Sequence, residues 1–233
     1  MKKILKLIVG LLFIVLISGC EKNQKNEYSI VSTIFPGYDV SRAITNNSDF
    51  SIEMLLKPGS EIHDFEPTPQ DIIKIKNSSI FIYVGGESDE WVEKVLVEID
   101  ESKTKVIKLI DLVDTYDEEI VEGMEADEDD IESTNEETEI DEHVWTTPVN
   151  VIKIVSALKN EIIKIDAENK ELYEKNASNY IRELEALDQE IKEVVTNAKR
   201  HELIFGDRFP FRYFTELYGL TYYAAFPGCS EAS

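Results

Sequence analysis

Short β-branched runs that alternate with helical patterns constrain this chain most. Residues 28–35, 50–56, 79–84 and 105–110 are apolar, strand-like stretches. Helical patterns fill the gaps: 38–45 after Pro36-Gly37, 70–76 after Thr68-Pro69, and 88–99. Ser88 is the expected N-cap of the third, with Asp89 and Glu90 in its acidic first turn. Strands alternating with helices predict an α/β fold, with a mostly parallel sheet covered on both faces. Such sheets bind ligands in the loops at the carboxyl ends of their strands. The composition supports a real core, at 42% hydrophobic with ten Tyr and ten Phe.

The first residues read as export rather than fold. Lys2, Lys3 and Lys6 precede an apolar run over residues 7–17. At about 1.5 Å per residue this run falls well short of a bilayer, so residues 1–19 read as a signal peptide. It ends Ser18-Gly19-Cys20, a pattern that resembles the lipobox of bacterial lipoproteins. A lipidated Cys20 would anchor the protein to the outer face of the cell membrane, with residues 20–27 as a polar tether. The expected location is extracytoplasmic.

The net charge of −23 argues against nucleic acid as a partner, since phosphates would be repelled. Acidity concentrates in residues 117–142, where fifteen of 26 are Asp or Glu and no Lys or Arg intervenes between Lys108 and Lys153. This density predicts a solvated surface insertion; loose gathering of divalent cations is the alternative, since a flexible acidic run lacks the rigidity of tight coordination. Pro148 then opens a helix with Val151, Ile152, Val155, Leu158, Ile162 and Ile165 on its apolar side. No Gly or Pro interrupts residues 167–200, which predicts about 45 Å of helix packed along the body as a strut. Residues 202–206, 211–218 and 221–226 read as one further β-α-β unit. About thirty residues cannot close a core alone, so this unit is expected to be part of something larger, and the chain to be a fragment.

His63 and His143 fall on loops leading into helices, where a neutral imidazole is a good ligand for Zn²⁺ or Mn²⁺. His201 ends the long helix beside Lys199 and Arg200 and reads as a solvated helix-end residue. His63 lies in Pro58-Gly59-x-x-x-His63-x-Phe65-Glu66-Pro67-Thr68-Pro69, and His143 in His143-x-Trp145-x-x-Pro148. Together with Ile34-Phe35-Pro36-x-Tyr38-Asp39, Tyr83-x-Gly85 and Tyr213-Phe214-x-x-x-Tyr218-Gly219-Leu220, these segments resemble the metal-binding lipoproteins of zinc and manganese ABC transporters.

The resemblance implies a two-lobed, periplasmic-binding-protein-like fold: an N-terminal lobe over 28–165, a connecting helix over 166–200, and an incomplete C-terminal lobe over 201–233. It implies a metal held between the lobes, with His63 and His143 as ligands. The family's third ligand, a His or Glu, falls here on Arg208, and a guanidinium cannot ligate a cation. Asp207 is the nearest carboxylate and the expected third ligand; a structural ion pair of Asp207 with Arg208 or Arg212 is the alternative, and Glu61 a further candidate. The implied function is capture of zinc, or of manganese, for delivery to an ABC permease. No catalysis and no catalytic cofactor are involved, and the protein is expected to act as a monomer. A surface adhesin, a non-functional truncated product and a metal-dependent hydrolase are the other readings. Against the hydrolase, no spacing such as His-Glu-x-x-His places a general base.

Overall fold

In the computed structural model, residues 28–60, 65–124 and 139–228 are described. The expected signal peptide, Cys20, Glu61 and His63 therefore lie outside the described residues.

Four short strands, β1 (Ser29–Ser32), β2 (Ser51–Met54), β3 (Ile80–Tyr83) and β4 (Lys105–Lys108), form one sheet in the order β2-β1-β3-β4. Every pairing is parallel, with Ile30 opposite both Ile52 and Ile80, and Phe81 opposite Val106. The strands end one to three residues before the predicted runs, because helix α1 (Phe35–Ile44) begins at once after β1, with Pro36 in its first turn.

Strand side chains alternate between two cores. Ile30, Ile80, Ile82 and Ile107 face one side, where α1 and the helices α4 (Pro148–Ile165) and α5 (Lys170–Asn197) cover them. Val31 and Phe81 face the other, against α2 (Pro69–Asn77) and α3 (Glu90–Leu96). Each fully buried Ile or Leu contributes about 1.5–3 kcal/mol by leaving water. Thr68 caps α2 through a reciprocal box: its hydroxyl accepts the Asp71 N–H, and Asp71 accepts the Thr68 N–H at 3.0 Å.

Helix α4 runs from Pro148 as predicted, and Ile154 joins Val155, Leu158 and Ile162 in the core. A 3₁₀ turn, Ala167–Asn169, separates it from α5, so the strut is shorter than the predicted 167–200. That knuckle is tied by Asp166, which accepts hydrogen bonds from Tyr173 (2.6 Å) and Asn169 (2.8 Å). The first half of α5 lies against the sheet layer. Tyr173, Ala177 and Leu184 are buried, Tyr180 donates to Asp39 of α1 at 2.8 Å, and Asn176 caps the end of α1 at the Ile44 carbonyl. Beyond Leu184 the cover is partial: Leu187 and Val194 are exposed, whereas Asp188 is buried and Ile191 half-buried.

The last described elements are β5 (Glu202–Ile204), α6 (Arg212–Tyr218) and β6 (Thr221–Tyr223), with β5 and β6 parallel. Gly219 stops α6 in the left-handed region, at φ 65°. A separate core gathers here: Phe209 stacks on Tyr222 with ring centroids 3.8 Å apart, and Ala224, Phe205 and Phe211 surround them. Tyr218 donates to Asp188 of α5 at 3.0 Å, so α5 touches the C-terminal elements as well as the sheet layer. No helix among the described residues is long and apolar enough to cross a membrane.

Candidate metal site

The acidic segment, expected to be solvated throughout, is anchored at both ends. Asp117 and Ile140 form an antiparallel bridge; the Glu118 N–H donates to the Glu139 carbonyl (2.7 Å) and the Asp141 N–H to the Tyr116 carbonyl (3.0 Å). Val121 and Met124 pack on the aromatic core around Phe209. Asp141 and Glu142 are 2% and 3% exposed, the reverse of what their place in an acidic run predicts. Composition describes the run as a whole; local pairing decides which of its side chains turn inward.

Asp141 is turned inward to serve His143. Its Oδ1 accepts the His143 backbone N–H at 2.8 Å and lies 3.1 Å from the ring Nδ1. In the Nδ1–H tautomer the ring donates to this oxygen, and Nε2 keeps its lone pair for a cation. Trp145 packs 5.5 Å from the imidazole, centroid to centroid. The His143 carbonyl closes a turn by accepting both the N–H and the hydroxyl of Thr146. Thr147 then caps α4, and Asn150 donates back to the Val144 carbonyl at 2.9 Å, so the loop is locked to the helix it precedes.

The C-terminal elements hold the same loop from the other side. The buried Tyr213 hydroxyl of α6 donates to the Asp141 carbonyl at 2.7 Å and accepts the Tyr116 N–H at 3.3 Å. Gly228 comes close as well: a Cβ there would lie 3.4 Å from His143 Cε1 and 3.2 Å from Glu118 Oε1.

Glu142 faces the end of β3. Its Oε1 accepts the Ser88 N–H at 2.9 Å, and its side chain fills the space beside Gly86, where φ is 101°. Ser88 therefore does not cap α3 as expected; Asp89 holds the N-cap position and uses its carboxylate on the Val84 and Gly85 N–H groups instead. Burial pushes the Glu142 and Asp89 carboxyls up, opposed in each case by the backbone hydrogen bonds they accept. Next to them is a cleft of about 370 Å³ lined by Glu87, Glu90, Glu93 and Glu139 as well as Lys108. Loss of solvent, then the hydrogen bond to Glu139, pushes the Glu87 carboxyl up to about 7.

Of the expected site residues, His143 sits in this locked loop, and His63 lies in the undescribed stretch 61–64, between β2 and α2. The residues that flank His63 are placed: Phe65 packs edge-on against Trp91 at 5.7 Å. Asp207 is exposed and accepts the Arg208 N–H at 2.9 Å. Arg212 pairs with Glu119 and Glu216 rather than with Asp207. His201 is exposed, its Nε2 3.0 Å from the Val195 carbonyl at the end of α5, in keeping with a helix-end residue. Among the described residues no three imidazole, thiol or carboxylate groups converge as a complete metal cluster. Sequence reasoning did not single out Asp141 or Tyr213 as supports of the His143 loop. Asp141 could have been found, because a carboxylate two residues before a ligand-type His is within reach of its Nδ1.

The chain is 33% identical over 224 residues to the zinc-binding lipoprotein AdcA of Streptococcus pneumoniae, covering 94% of this chain and 43% of that one. It is 30% identical over 204 residues to the high-affinity zinc uptake system protein ZnuA of Bacillus subtilis, covering 87% and 62%. The chain thus spans less than two thirds of the length of these relatives. The Zn(II)-bound ZnuA-like domain of S. pneumoniae AdcA superposes with a TM-score of 0.69 at 28% identity, over 86% of this chain and 67% of that one. The α/β, periplasmic-binding-protein-like fold implied by the sequence is the fold of these neighbours. The family model described as "ZnuA: Zinc-uptake complex component A periplasmic" matches residues 30–233, and this chain belongs to that family.

Proposed function

We propose that the protein captures a divalent metal ion outside the cell membrane, zinc before manganese, and passes it to an ABC permease without chemistry on the metal. The observation that carries this reading is the His143 loop. Its imidazole has Nδ1 beside a buried carboxylate, which leaves Nε2 for a metal, and the loop is braced by Tyr213 of α6. His63 is the proposed partner imidazole, and Asp207 the proposed carboxylate from the C-terminal elements. Two imidazoles with carboxylate oxygens suit Zn²⁺ first and admit Mn²⁺. The names of the relatives, zinc-binding lipoprotein and zinc uptake system protein, support zinc and the transport role. Lipidation at Cys20 and action as a monomer belong to the same proposal, as does the division into lobes 28–165 and 201–233 about a connecting segment 166–200.

The test is titration of the purified protein with Zn²⁺ and with Mn²⁺, followed by calorimetry and thermal unfolding. Binding to the folded state raises the melting temperature by mass action. Zinc should bind more tightly than manganese, and His143→Ala should abolish most of the zinc-induced rise, measured against that variant's own metal-free melting point, which the lost Asp141 contact lowers. A parent protein that neither binds nor is stabilised by either ion would refute the proposal.

A further inference from the structure

We infer that residues 114–124, the neck of the acidic segment, are a strap that clasps the C-terminal elements to the sheet layer and fixes their orientation. The contacts follow one another along the chain. Asp114 is tied to the sheet side, where it pairs with Lys153 of α4 at 2.7 Å. Two residues on, the chain has crossed to α6. The Tyr116 N–H donates to the Tyr213 hydroxyl at 3.3 Å, the two rings lie 5.3 Å apart between centroids, and the Arg212 guanidinium sits 5.8 Å from the Tyr116 centroid. Glu119 pairs with Arg212 at 2.7 Å and lies 3.5 Å from the Tyr222 hydroxyl of β6. Val121 and Met124 then close on the core of Phe209, Tyr222 and Ala224.

The local folding of the neck is built for this grip. A turn in which the Met124 N–H donates to the Val121 carbonyl at 3.1 Å, and the Val121 N–H to the Met124 sulfur at 3.3 Å, sets both apolar side chains against the same core. Both are half-buried, whereas Ile120 and Glu122 beside them are exposed. The C-terminal elements need such cover, since about thirty residues cannot close a core alone. Tyr213 spans the two rails of the neck, accepting from Tyr116 on the outward one and donating to the Asp141 carbonyl on the return at 2.7 Å. A grip of half-buried side chains and partly exposed ion pairs opens more readily than a fully buried sheet. Release of the strap would therefore free β5, α6 and β6 to move about the end of α5 while β1–β4 stay folded.

The experiment measures the distance between two spin labels by double electron–electron resonance on the full chain, with Cys20→Ser and Cys229→Ser leaving only the labelled thiols. One label goes at Val97→Cys, 88% exposed at the end of α3, and the other at Leu217→Cys, exposed on α6. The parent should give one narrow distance distribution. Val121→Asp with Met124→Asp sets two charges against an apolar core and should widen the distribution by about twofold or more. Glu122→Gln changes an exposed charge of the same neck and should leave the width unchanged. Hydrogen exchange on the double variant should show β1 and β3 protected as in the parent. A double variant as narrow as the parent, or a parent as broad as the double variant, would overturn the inference. Equal widening in Glu122→Gln would overturn it as well, because charge rather than grip would then set the width. Loss of protection in β1 and β3 along with the widening would do the same, since the C-terminal elements would not be moving separately.

Discussion

Asp141→Ala separates the cost of folding from the cost of holding a metal. In the parent, one buried oxygen serves two donors, the His143 backbone N–H at 2.8 Å and the ring Nδ1 at 3.1 Å. Truncation leaves a buried N–H without its partner, which costs about 1–3 kcal/mol of stability. It also removes what fixes the ring's tautomer and angle. Loss of such an outer partner weakens metal sites by about 10–100-fold, or roughly 1.4–2.8 kcal/mol of binding. Urea denaturation in the presence of a chelator would read the first quantity, and zinc competition titration the second. Asp141→Asn is the companion variant: its amide oxygen can accept both bonds, so stability should be nearly retained and affinity should fall less. If Asp141→Ala folds and binds zinc within about twofold of the parent, the claim that this carboxylate prepares the imidazole is wrong.

Tyr213→Phe removes the hydroxyl that joins α6 to Asp141 and Tyr116, and should cost about 1–3 kcal/mol in urea denaturation by leaving a buried carbonyl and N–H short of a partner. Along the two long helices, Leu158→Ala should cost about 2–5 kcal/mol and Val194→Ala no more than about 0.5 kcal/mol, since Leu158 is fully buried and Val194 is 69% exposed. Glu87 gives a pH signature. Its carboxyl is pushed up from 4.5 to about 7, so the folded state holds this proton where the unfolded chain has lost it. Stability from this group therefore falls as pH rises from about 4.5 to about 7, and the penalty is complete above that. Glu87→Gln should raise the melting temperature at pH 8 and leave it unchanged at pH 4.

Local signals with a direct physical cause were legible in the sequence. Thr68-Pro69 and Pro148 start helices where predicted, Gly219 ends one, and the apolar run over 79–84 holds a strand buried on both faces. What could not be read depends on contacts between distant segments. The absence of Gly and Pro over 167–200 predicts a long helix, yet nothing in it says that Leu187 and Val194 are left exposed. The acidic run reads as solvent-facing because charge density averages over its residues. Pairing of 116–118 with 139–141 then selects Asp141 and Glu142 for burial, and Glu118 for partial burial. Ser88 illustrates the same rule at a helix start: it has the capping chemistry, but Glu142, 54 residues away, takes its N–H.

The central claim is that His63 and His143 bind one ion. Zinc X-ray absorption of the loaded protein tests it most directly, because imidazole rings give a distinctive multiple-scattering pattern. The account predicts two imidazole nitrogens at about 2.0–2.1 Å with oxygen donors completing the shell, and one imidazole in His63→Ala. A spectrum fitted by oxygen donors alone, or one unaltered by His63→Ala, would contradict it.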